Sequence, residues 1–418
     1  MKKALKVLGI LICVFLGICL IVGIVTSTST SDLEYTIDDV TNTITITGIN
    51  SNKNHIVIPE MIDGYKVTSI SDYAFKDNEN VLSIQLPNTI SHIGKGAFYN
   101  CNKLAFVWGL EKCNRLTKIE DEVFYNCKRL KQIKLPNNIT SIGNSAFESC
   151  HKLKKLQLPD SISYIGKKAF DNCQSIIEFD IPQGVTKIEE KTFFSCLAMK
   201  SIELPEGITI IGEAAFANCY ELKSIVIPSK VEIIDKNAFT TCKSLSSITI
   251  PEGVKEIGDF AFIECYSLTE ITIPASVVRL GGEIFRSNSA LKKINVSPQN
   301  TVYASIDGVL YNKDITELIA YPAGKTDKSF SIPDGVISID KAVFAYNTTL
   351  ETVSIPESVK SIGNFFLYET SVKTINYSGT VSQWNKIDKV GGLDLGNSFQ
   401  TINCTDGQIS KYGKVTYN

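Results

Sequence analysis

Phenylalanine and cysteine recur together along this chain at a fixed interval of 23 residues, with the cysteine three positions after the phenylalanine. The clearest pairs are Phe124/Cys127, Phe147/Cys150, Phe170/Cys173, Phe193/Cys196, Phe216/Cys219, Phe239/Cys242 and Phe262/Cys265. Identical side chains at one fixed spacing indicate identical backbone units stacked in a row. The period therefore predicts a solenoid, which grows by adding units and has no separate cores.

Each unit divides into a strand, a return segment and a turn that carries the phenylalanine, as in Leu245 to Ser267. The I-x-I-P segment alternates apolar and polar residues, as a strand with one buried face does, and proline then ends the strand. V-x-x-I begins the return path, and a glycine or acidic residue suits the bend into a short helical turn with A-F. We predict a repeat solenoid with a parallel β-sheet on one face and short helical or irregular turns on the other.

Departures from the period suggest how the chain is divided. We expect a leader and Ser/Thr-rich tether at 1–31, an amino-terminal cap at 32–56, repeats at 57–375 and a carboxy-terminal cap at 376–418. Caps are expected because the end faces of a solenoid would otherwise be exposed apolar edges. One repeat is widened over about 286–343, and Asp307-Gly308 between apolar runs in this insert predicts a β-hairpin.

The amino terminus predicts export. Three lysines within the first six residues precede an uncharged run over 7–25, and 19 helical residues would span roughly 28 Å, close to the apolar core of a bilayer. An uncleaved membrane anchor and a cleaved secretory signal both fit this pattern. Either one would place the rest of the chain outside the cytoplasm, at the cell surface or secreted.

The cysteines of the repeat share one position, which is filled elsewhere by Asn or Thr. The eight are Cys101, Cys127, Cys150, Cys173, Cys196, Cys219, Cys242 and Cys265, and the replacements are Asn78, Asn288, Asn347 and Thr370. All three residue types are small and can hydrogen-bond nearby backbone groups. We interpret the cysteines as an interior column of structural thiols. Disulfides between neighbours and a metal site are the alternatives, and Cys113 and Cys404 remain without an assigned role.

Recognisable catalytic chemistry is missing from the sequence. The three histidines, His55, His92 and His151, fall at different points of the repeat, and phosphate-binding, zinc-protease and serine-hydrolase motifs are absent. A net charge of -2, with only four arginines, gives no reason to expect a nucleic-acid partner. We therefore expect no catalytic residue, no cofactor and no metal.

The polar positions of successive strands are the better candidates for function, because a stacked sheet makes them neighbours on one exposed face about 4.8 Å apart. We call these positions the face strip. Along the chain it changes from basic to acidic and then to hydroxyl-bearing residues. The candidate partner-binding residues are Lys134, Lys155, Glu178, Asp180, Glu203, Thr249 and Thr272. A strip that merely keeps the surface soluble is the alternative interpretation.

The unit I-x-I-P-x-x-V-x-x-I-G-x-x-A-F-x-x-C-x-x-L resembles the BspA-type leucine-rich repeat over roughly residues 56–375. The resemblance implies a curved solenoid displayed at the cell surface that binds host, matrix or bacterial surface proteins. No catalytic residues come with the family. We therefore expect a non-catalytic protein-binding role in adhesion or cell-surface interaction. The alternative is an enzyme or accessory protein that acts on cell-wall or dietary glycan.

Overall fold

A computed structural model describes residues 28–391 and 395–418. The described chain winds into a solenoid, which confirms the predicted fold class. The predicted leader, with its apolar run, lies outside the described residues. Within the described ranges no helix combines the length and the apolarity needed to cross a bilayer.

The I-x-I segments form a first series of short strands, which we call the first ladder. Before the insert its strands are His55–Val57, Ser83–Gln85, Phe106–Trp108, Glu178–Asp180, Ser201–Glu203, Ser224–Val226, Ser247–Thr249, Glu270–Ile273 and Lys293–Val296. After the insert they are Ser329–Ser331, Thr352–Ile355, Thr374–Tyr377 and Thr401–Cys404. Isolated parallel bridges at Gln132 and Lys155 continue the series between the third and fourth strands. Paired strands are parallel and, in the regular coils, shifted by one repeat, so that Asp180 lies beside Glu203.

The V-x-x-I segments form a second parallel series, the second ladder, which the sequence did not predict as strands. Its members are Tyr65–Ile70, His92–Ile93, Lys118–Ile119, Ser141–Ile142, Tyr164–Ile165, Lys187–Ile188, Ile210–Ile211, Ile233–Ile234, Glu256–Ile257 and Arg279–Leu280, then Glu317–Ala320, Ser338–Ile339, Ser361–Ile362 and Asp388–Lys389. Most of these strands are two residues long, so the signal of alternating polarity is too short to see in the sequence.

The turn that carries the phenylalanine consists of successive β-turns, the irregular form of the two that were expected. Within one coil the Ala169 N–H donates to the Gly166 carbonyl at 3.2 Å, while the next N–H, that of Phe170, donates to Thr192 in the following coil at 3.0 Å. Lys168 and Asn172 adopt positive φ of 56° and 60°, and equivalent positions do so in the neighbouring coils. Alternate N–H groups are thus satisfied within the coil and between coils.

The repeat phenylalanines before the insert form one continuous stack inside the solenoid, from Phe75 to Phe285. From Phe98 to Phe262 neighbouring rings lie 5.3–5.7 Å apart and within 18° of parallel. Isoleucines from both ladders pack around the rings, with Ile225 and Ile234 as an example of one coil. Each coil therefore depends on both neighbours for burial of its apolar side chains.

Antiparallel strands occur at both ends and in the insert. At the amino end Leu33–Asp38 pairs with Thr43–Ile49, which in turn pairs in parallel with Tyr65–Ile70; Met61–Ile62 also pairs with Tyr65–Ile70, in antiparallel. At the carboxy end Thr401–Cys404, Gly407–Ser410 and Val415–Tyr417 form a meander. In the insert Tyr303–Ile306, Val309–Asn312 and Glu317–Ala320 are antiparallel neighbours.

The predicted hairpin in the insert is confirmed. Ile306 pairs with Val309, and the two residues between them, Asp307 and Gly308, have φ of 49° and 77°. Two central residues with positive φ are what a tight two-residue hairpin requires. The insert also marks the junction of two apolar cores, since Leu310 belongs to the first and Val309 to the second.

Helix is confined to three short pieces among the described residues. Thr30–Asp32 and Leu110–Lys112 are 3-10 turns, and Val381–Lys386 is an α-helix. The Leu110–Lys112 turn accommodates three extra residues in one repeat. The α-helix is capped by Thr380, whose side chain accepts a hydrogen bond from the Gln383 N–H.

Candidate functional site

The structure places all seven candidate residues of the face strip on the first ladder with their side chains exposed: Lys134, Lys155, Glu178, Asp180, Glu203, Thr249 and Thr272. They alternate with buried apolar residues, as in Glu178–Asp180, where Phe179 points into the core. The parallel register carries this arrangement from coil to coil. The strip is therefore one surface rather than a set of scattered positions.

The charges of the face strip have no ionic partners. Within the described residues Lys134, Lys155, Glu178, Asp180 and Glu203 take part in no ion pair. Asp180 and Glu203, two acidic residues, even lie side by side in the register. Like charges directly opposite each other destabilise a sheet, so folding alone does not favour this arrangement.

Charged residues on and beside the second ladder, in contrast, take part in ion pairs. Lys187 pairs with Glu189 at 3.0 Å within one coil, and Lys255 pairs with Glu232 of the preceding coil at 3.0 Å. Arg279 likewise pairs with Glu256. From Lys118–Ile119 to Arg279–Leu280 every charged residue of the second ladder is in an ion pair, whereas those on the face strip remain available to another molecule.

An aromatic pair begins the strip and was missed in the sequence. The Phe106 and Trp108 rings stack at 5.3 Å and within 8° of parallel, and Trp108 is 49% exposed. The Lys131 ammonium lies 5.5 Å from the Phe106 ring centre. Val107 occupies the first isoleucine position of its repeat, in register with Ile84, so Phe106 and Trp108 stand at the variable positions on either side. This was the available signal, but the three-residue expansion that follows obscured the alignment.

The strip becomes hydroxyl-rich towards the insert. Val226, on the strand between the acidic and hydroxyl-bearing parts, is 80% exposed. Thr249 and Thr272 line a groove of about 570 Å³ together with Glu252 and Glu270. Lys134 lines a separate groove of about 640 Å³.

The eight cysteines of the repeat are fully buried and free. Each thiol donates to the backbone carbonyl of the phenylalanine in the preceding coil, at 3.0–3.3 Å. Cys219, for example, donates to Phe193 at 3.3 Å. We call this series the thiol column. It satisfies one carbonyl per coil with a side chain small enough to fit beside the phenylalanine stack.

Burial makes the thiol column chemically inert at neutral pH. It raises the pKa of Cys101, Cys219 and Cys265 to about 12 and that of the other five thiols well above the ordinary range. The thiolate is the form that attacks and ligates, so these groups remain unreactive. Cys113 is also buried and donates to the Pro87 carbonyl at 3.4 Å, whereas Cys404 is half-buried.

The three histidines lie on different parts of their coils, His55 on the first ladder, His92 on the second ladder and His151 in a turn. His55 hydrogen-bonds the Ser83 hydroxyl at 2.8 Å, and His151 hydrogen-bonds the Asn172 amide at 3.1 Å. No group of three or more His, Cys, Asp or Glu side chains within 28–391 and 395–418 has the arrangement of a metal site. What this surface offers is a display of charges, hydroxyls and one aromatic pair.

These features define a class of protein: a repeat solenoid of short parallel strands whose coils are filled by stacked aromatic, aliphatic and thiol side chains. The chain belongs to the BspA-type leucine-rich repeat family. The model of that family's leucine-rich repeat region matches in six copies, over residues 49–107, 109–223, 209–326 and 323–387. The resemblance seen in the sequence is thereby confirmed. No curated protein matches the chain.

Solved structures with the same fold include two from bacteria. A leucine-rich cell surface protein from Faecalibacterium prausnitzii A2-165 is 28% identical, with a TM-score of 0.55 over 88% of this chain and 98% of that one. A leucine-rich repeat protein from Bacteroides ovatus ATCC 8483 is 22% identical, with a TM-score of 0.59 over 89% of this chain and 99% of that one. The second similarity concerns the fold alone.

Proposed function

We propose that this protein acts outside the cytoplasm as a non-catalytic binder of a protein partner, which it contacts along the face strip. The observation that carries the proposal is the contrast in charge pairing between the two ladders. The strip leaves Lys134, Lys155, Glu178, Asp180 and Glu203 without ionic partners, while the second ladder pairs its charges from Lys118–Ile119 to Arg279–Leu280.

The chemistry of the strip favours a protein partner. Exposed tryptophan is among the residues that most often dominate binding energy at protein interfaces, and Trp108 is half exposed at one end of the strip. Unpaired charges of both signs provide orientation and selectivity, because a partner must present complementary charges in the same order. The thiol column and the phenylalanine stack hold these residues on rigid coils, which lowers the entropy cost of binding.

Location outside the cytoplasm is supported by the amino-terminal sequence and by the similarity to a bacterial cell surface protein. The leader at 1–31 would act as an anchor or as a cleaved signal, and residues 32–56 and 376–418 would cap the repeats of 57–375. Intact mass of the native protein measures whether the leader is removed.

Capture of partners from host or bacterial surface extracts tests the function. We compare residues 32–418 with a variant in which Lys155, Glu178, Asp180 and Glu203 are all replaced by alanine. A matched control replaces Lys187, Glu189, Glu232 and Lys255, four paired charges on and beside the second ladder. We expect the strip variant to lose a captured protein that the control retains. Equal capture by all three proteins contradicts the proposal and leaves the fold unaffected.

A role in glycan processing is the second candidate, and the stacked Phe106 and Trp108 rings are the observation that favours it, because exposed aromatic faces also bind sugar rings. Incubation of the same protein with a panel of cell-wall and dietary glycans distinguishes the two. Turnover, or glycan binding that Trp108→Ala abolishes while the charge variant does not, supports the glycan role over protein binding.

A further inference from the structure

When the order of the coils is reversed, the residues of the face strip are complementary to those of the original order. Six successive coils carry two strip positions each, and the pairs are Phe106/Trp108, Gln132/Lys134, Lys155/Gln157, Glu178/Asp180, Ser201/Glu203 and Ser224/Val226. The aromatic and basic coils come first, and the acidic coils and the exposed valine follow. Reversal of this order sets the basic coils against the acidic ones.

We propose that the face strip binds a second copy of this chain, with the two solenoids antiparallel and their strips face to face. The proposal rests on the proposed function of the strip as an interaction surface and names its partner. The two-fold axis runs along the strand direction, between the coil of Lys155 and the coil of Glu178. Rotation about such an axis reverses the order of coils but keeps the two positions within each strand in the same order.

This axis brings opposite charges together. Lys155 of one copy faces Glu178 of the other, and Lys134 faces Glu203. The symmetry produces each pair twice, so the contact contains four ion pairs. The remaining acidic residue of the strip, Asp180, faces Gln157, whose amide can donate to the carboxylate. Every charge at the strip positions of these six coils thus finds a complementary group.

The same axis, which was placed from the charges alone, also brings exposed apolar residues of the two copies together. Trp108, 49% exposed, faces Val226, 80% exposed. These are the two most exposed large apolar side chains of the six coils' strip positions, and they lie at opposite ends of it. Agreement of the apolar match with the charge match is the independent support for this register. In the next coils on either side the axis brings no like charges together, since Gln85 faces Thr249 and His55 faces Glu270.

Several other placements of the axis bring like charges together. An axis through the coil of Lys155 sets that residue against itself, and an axis through the coil of Glu178 does the same for two carboxylates. An axis between the coils of Glu178 and Glu203 places Asp180 against Glu203. An axis along the solenoid sets Glu178 against Asp180. Like charges at close range are costly in an interface, which disfavours these placements. An axis between the coils of Lys134 and Lys155 avoids like charges but places the two lysines against glutamines. Among axes along the strand direction, the proposed one alone sets both lysines against carboxylates of the strip.

One like-charged pair does arise at the margin, where Lys131 faces Lys200. Both precede their strands, at the turns that lead into the first ladder, and both are exposed. Long lysine side chains at such a margin can extend into solvent and separate their charges.

The contact is small. Six coils at roughly 4.8 Å, with three residues per strand at roughly 3.3 Å, cover about 290 Å² per copy. A standard stable interface buries about 800 Å² per partner, so the structure implies a weak, reversible dimer. Exposed ion pairs are screened by salt, and the dimer should therefore dissociate as ionic strength rises.

Reversal of charge in two complementary variants is the decisive experiment. One full-length variant carries Lys134→Glu and Lys155→Glu, and the other carries Glu178→Lys and Glu203→Lys. All four side chains are exposed, and circular dichroism with thermal melting checks that both variants fold. Sedimentation velocity follows association over a concentration series that reaches roughly 1 mM, because an interface of this size is weak.

We expect the unsubstituted chain to dimerise and each variant alone to show a dissociation constant raised roughly tenfold or more, because like charges now face each other. An equimolar mixture of the two should associate again, to within about threefold of the unsubstituted chain, since every reversed pair is restored. A chain that stays monomeric at all concentrations, or variants that dimerise as before, overturns the proposal.

Site-specific cross-linking tests the register. Gln132→Cys in one copy should form a disulfide with Ser201→Cys in another, and Gln132→Cys should not link to itself. The buried thiols do not compete, because their pKa values are raised. Dimers that persist without this link, or that link equally in every combination, would show that another surface is used.

The outcome for a foreign partner is separable from the outcome for the dimer. If the chain is monomeric but the charge variants lose a captured protein, the self-association is wrong and the proposed function stands. If neither association nor capture responds to the charges, both fail.

Discussion

The same face of the solenoid differs before and after the insert. In the coils from Phe98 to Cys265 the strip charges have no ionic partners. In the coils after the insert the strip positions carry no charged residue. Glu351, which precedes its strand at the margin of this face, pairs with Lys328 at 2.7 Å and with Lys373 at 3.1 Å. Charges on this face can therefore be paired across coils when they serve only the fold. The isolation of the strip charges in the earlier coils is the observation on which the proposed binding role rests.

The interior packing also differs between the coils before the insert and those after it. In the earlier coils the rings stack nearly parallel and the thiol column donates one bond per coil. After the insert Phe344 meets Phe366 edge-on at 80°, and Asn347 replaces the thiol. The Asn347 amide donates to the Ala323 and Lys325 carbonyls at 3.1 and 3.0 Å, and its oxygen accepts from the Leu350 N–H at 2.8 Å.

The regular interior of the coils before the insert accounts for the even spacing of the strip residues there. A thiol forms a single bond with the preceding coil, so the same coil can be repeated without change. Asn347 ties down several groups of an irregular turn where the insert joins. Evenly spaced strip residues need identical coils beneath them, and the thiol column provides such coils.

Alkaline pH should destabilise the coils before the insert more than those after it, and we expect this to be the largest of the effects. Folding raises the pKa of Cys219 to about 12, from an unfolded value near 8.5. The folded thiols keep their protons while the unfolded ones lose them, so their stability contribution is full below that unfolded value and falls as pH rises towards the folded value. Eight such thiols together lose roughly 8 kcal/mol between pH 8.5 and 9.5.

Hydrogen exchange measured by mass spectrometry at those two pH values tests this, after correction for the intrinsic rate. Protection should fall steeply in peptides from Phe98 to Cys265 and less in peptides from 330–375, which contain no cysteine. An equal loss of protection in both regions would contradict the role assigned to the thiol column.

Loss of a ring should cost more in the parallel stack than in the edge-on contact. Phe216→Ala removes a fully buried ring that stacks on both neighbours, and we expect a loss of about 3–5 kcal/mol in unfolding free energy. Phe344→Ala should fall at the lower end of that range, because Tyr321 and Phe330 pack beside the site. Urea unfolding measures both, and a larger cost for Phe344→Ala would reverse the comparison.

Substitution at the shared Cys/Asn position should show the opposite order. Asn347→Ala leaves several buried backbone groups without partners, which we expect to cost about 2–4 kcal/mol. Cys219→Ala releases only the Phe193 carbonyl and should cost about 1–2 kcal/mol. Cys219→Ser, which keeps a donor, is the matched control. Equal losses for Asn347→Ala and Cys219→Ala would argue that the two residues have equivalent roles.

The sequence predicted the repeat architecture because the period is written in buried residues such as Phe216 and Cys219, whose environment recurs in every coil. It also predicted the hairpin at Asp307-Gly308, where local backbone chemistry decides. It did not reveal the second ladder, since two-residue strands such as Ile210–Ile211 form only when neighbouring coils are stacked. Positive φ at Lys168 is likewise imposed by hydrogen bonds between coils rather than by a residue preference.

The candidate site was predicted in part. Alternation along the strand was sufficient to expect Lys155 and Glu178 on an exposed face. Whether a charge has an ionic partner depends on side-chain positions in adjacent coils, which one sequence does not specify. Phe106 and Trp108 escaped notice because the following turn, Leu110–Lys112, breaks the spacing by three residues.

The smallest effect tests the surface comparison directly. Lys328, followed by Lys373, holds the pKa of Glu351 below its usual range, so this carboxylate stabilises the fold at neutral pH and ceases to do so as pH falls below about 4. Glu351→Gln should therefore lower the melting temperature slightly at pH 7, and this difference should shrink as pH falls towards 3. Asp180→Asn should raise the melting temperature slightly at pH 7, because it relieves repulsion from Glu203. Differential scanning calorimetry at the two pH values gives the signs. If Asp180→Asn lowers the melting temperature at pH 7, as Glu351→Gln is expected to do, the strip charges serve the fold after all.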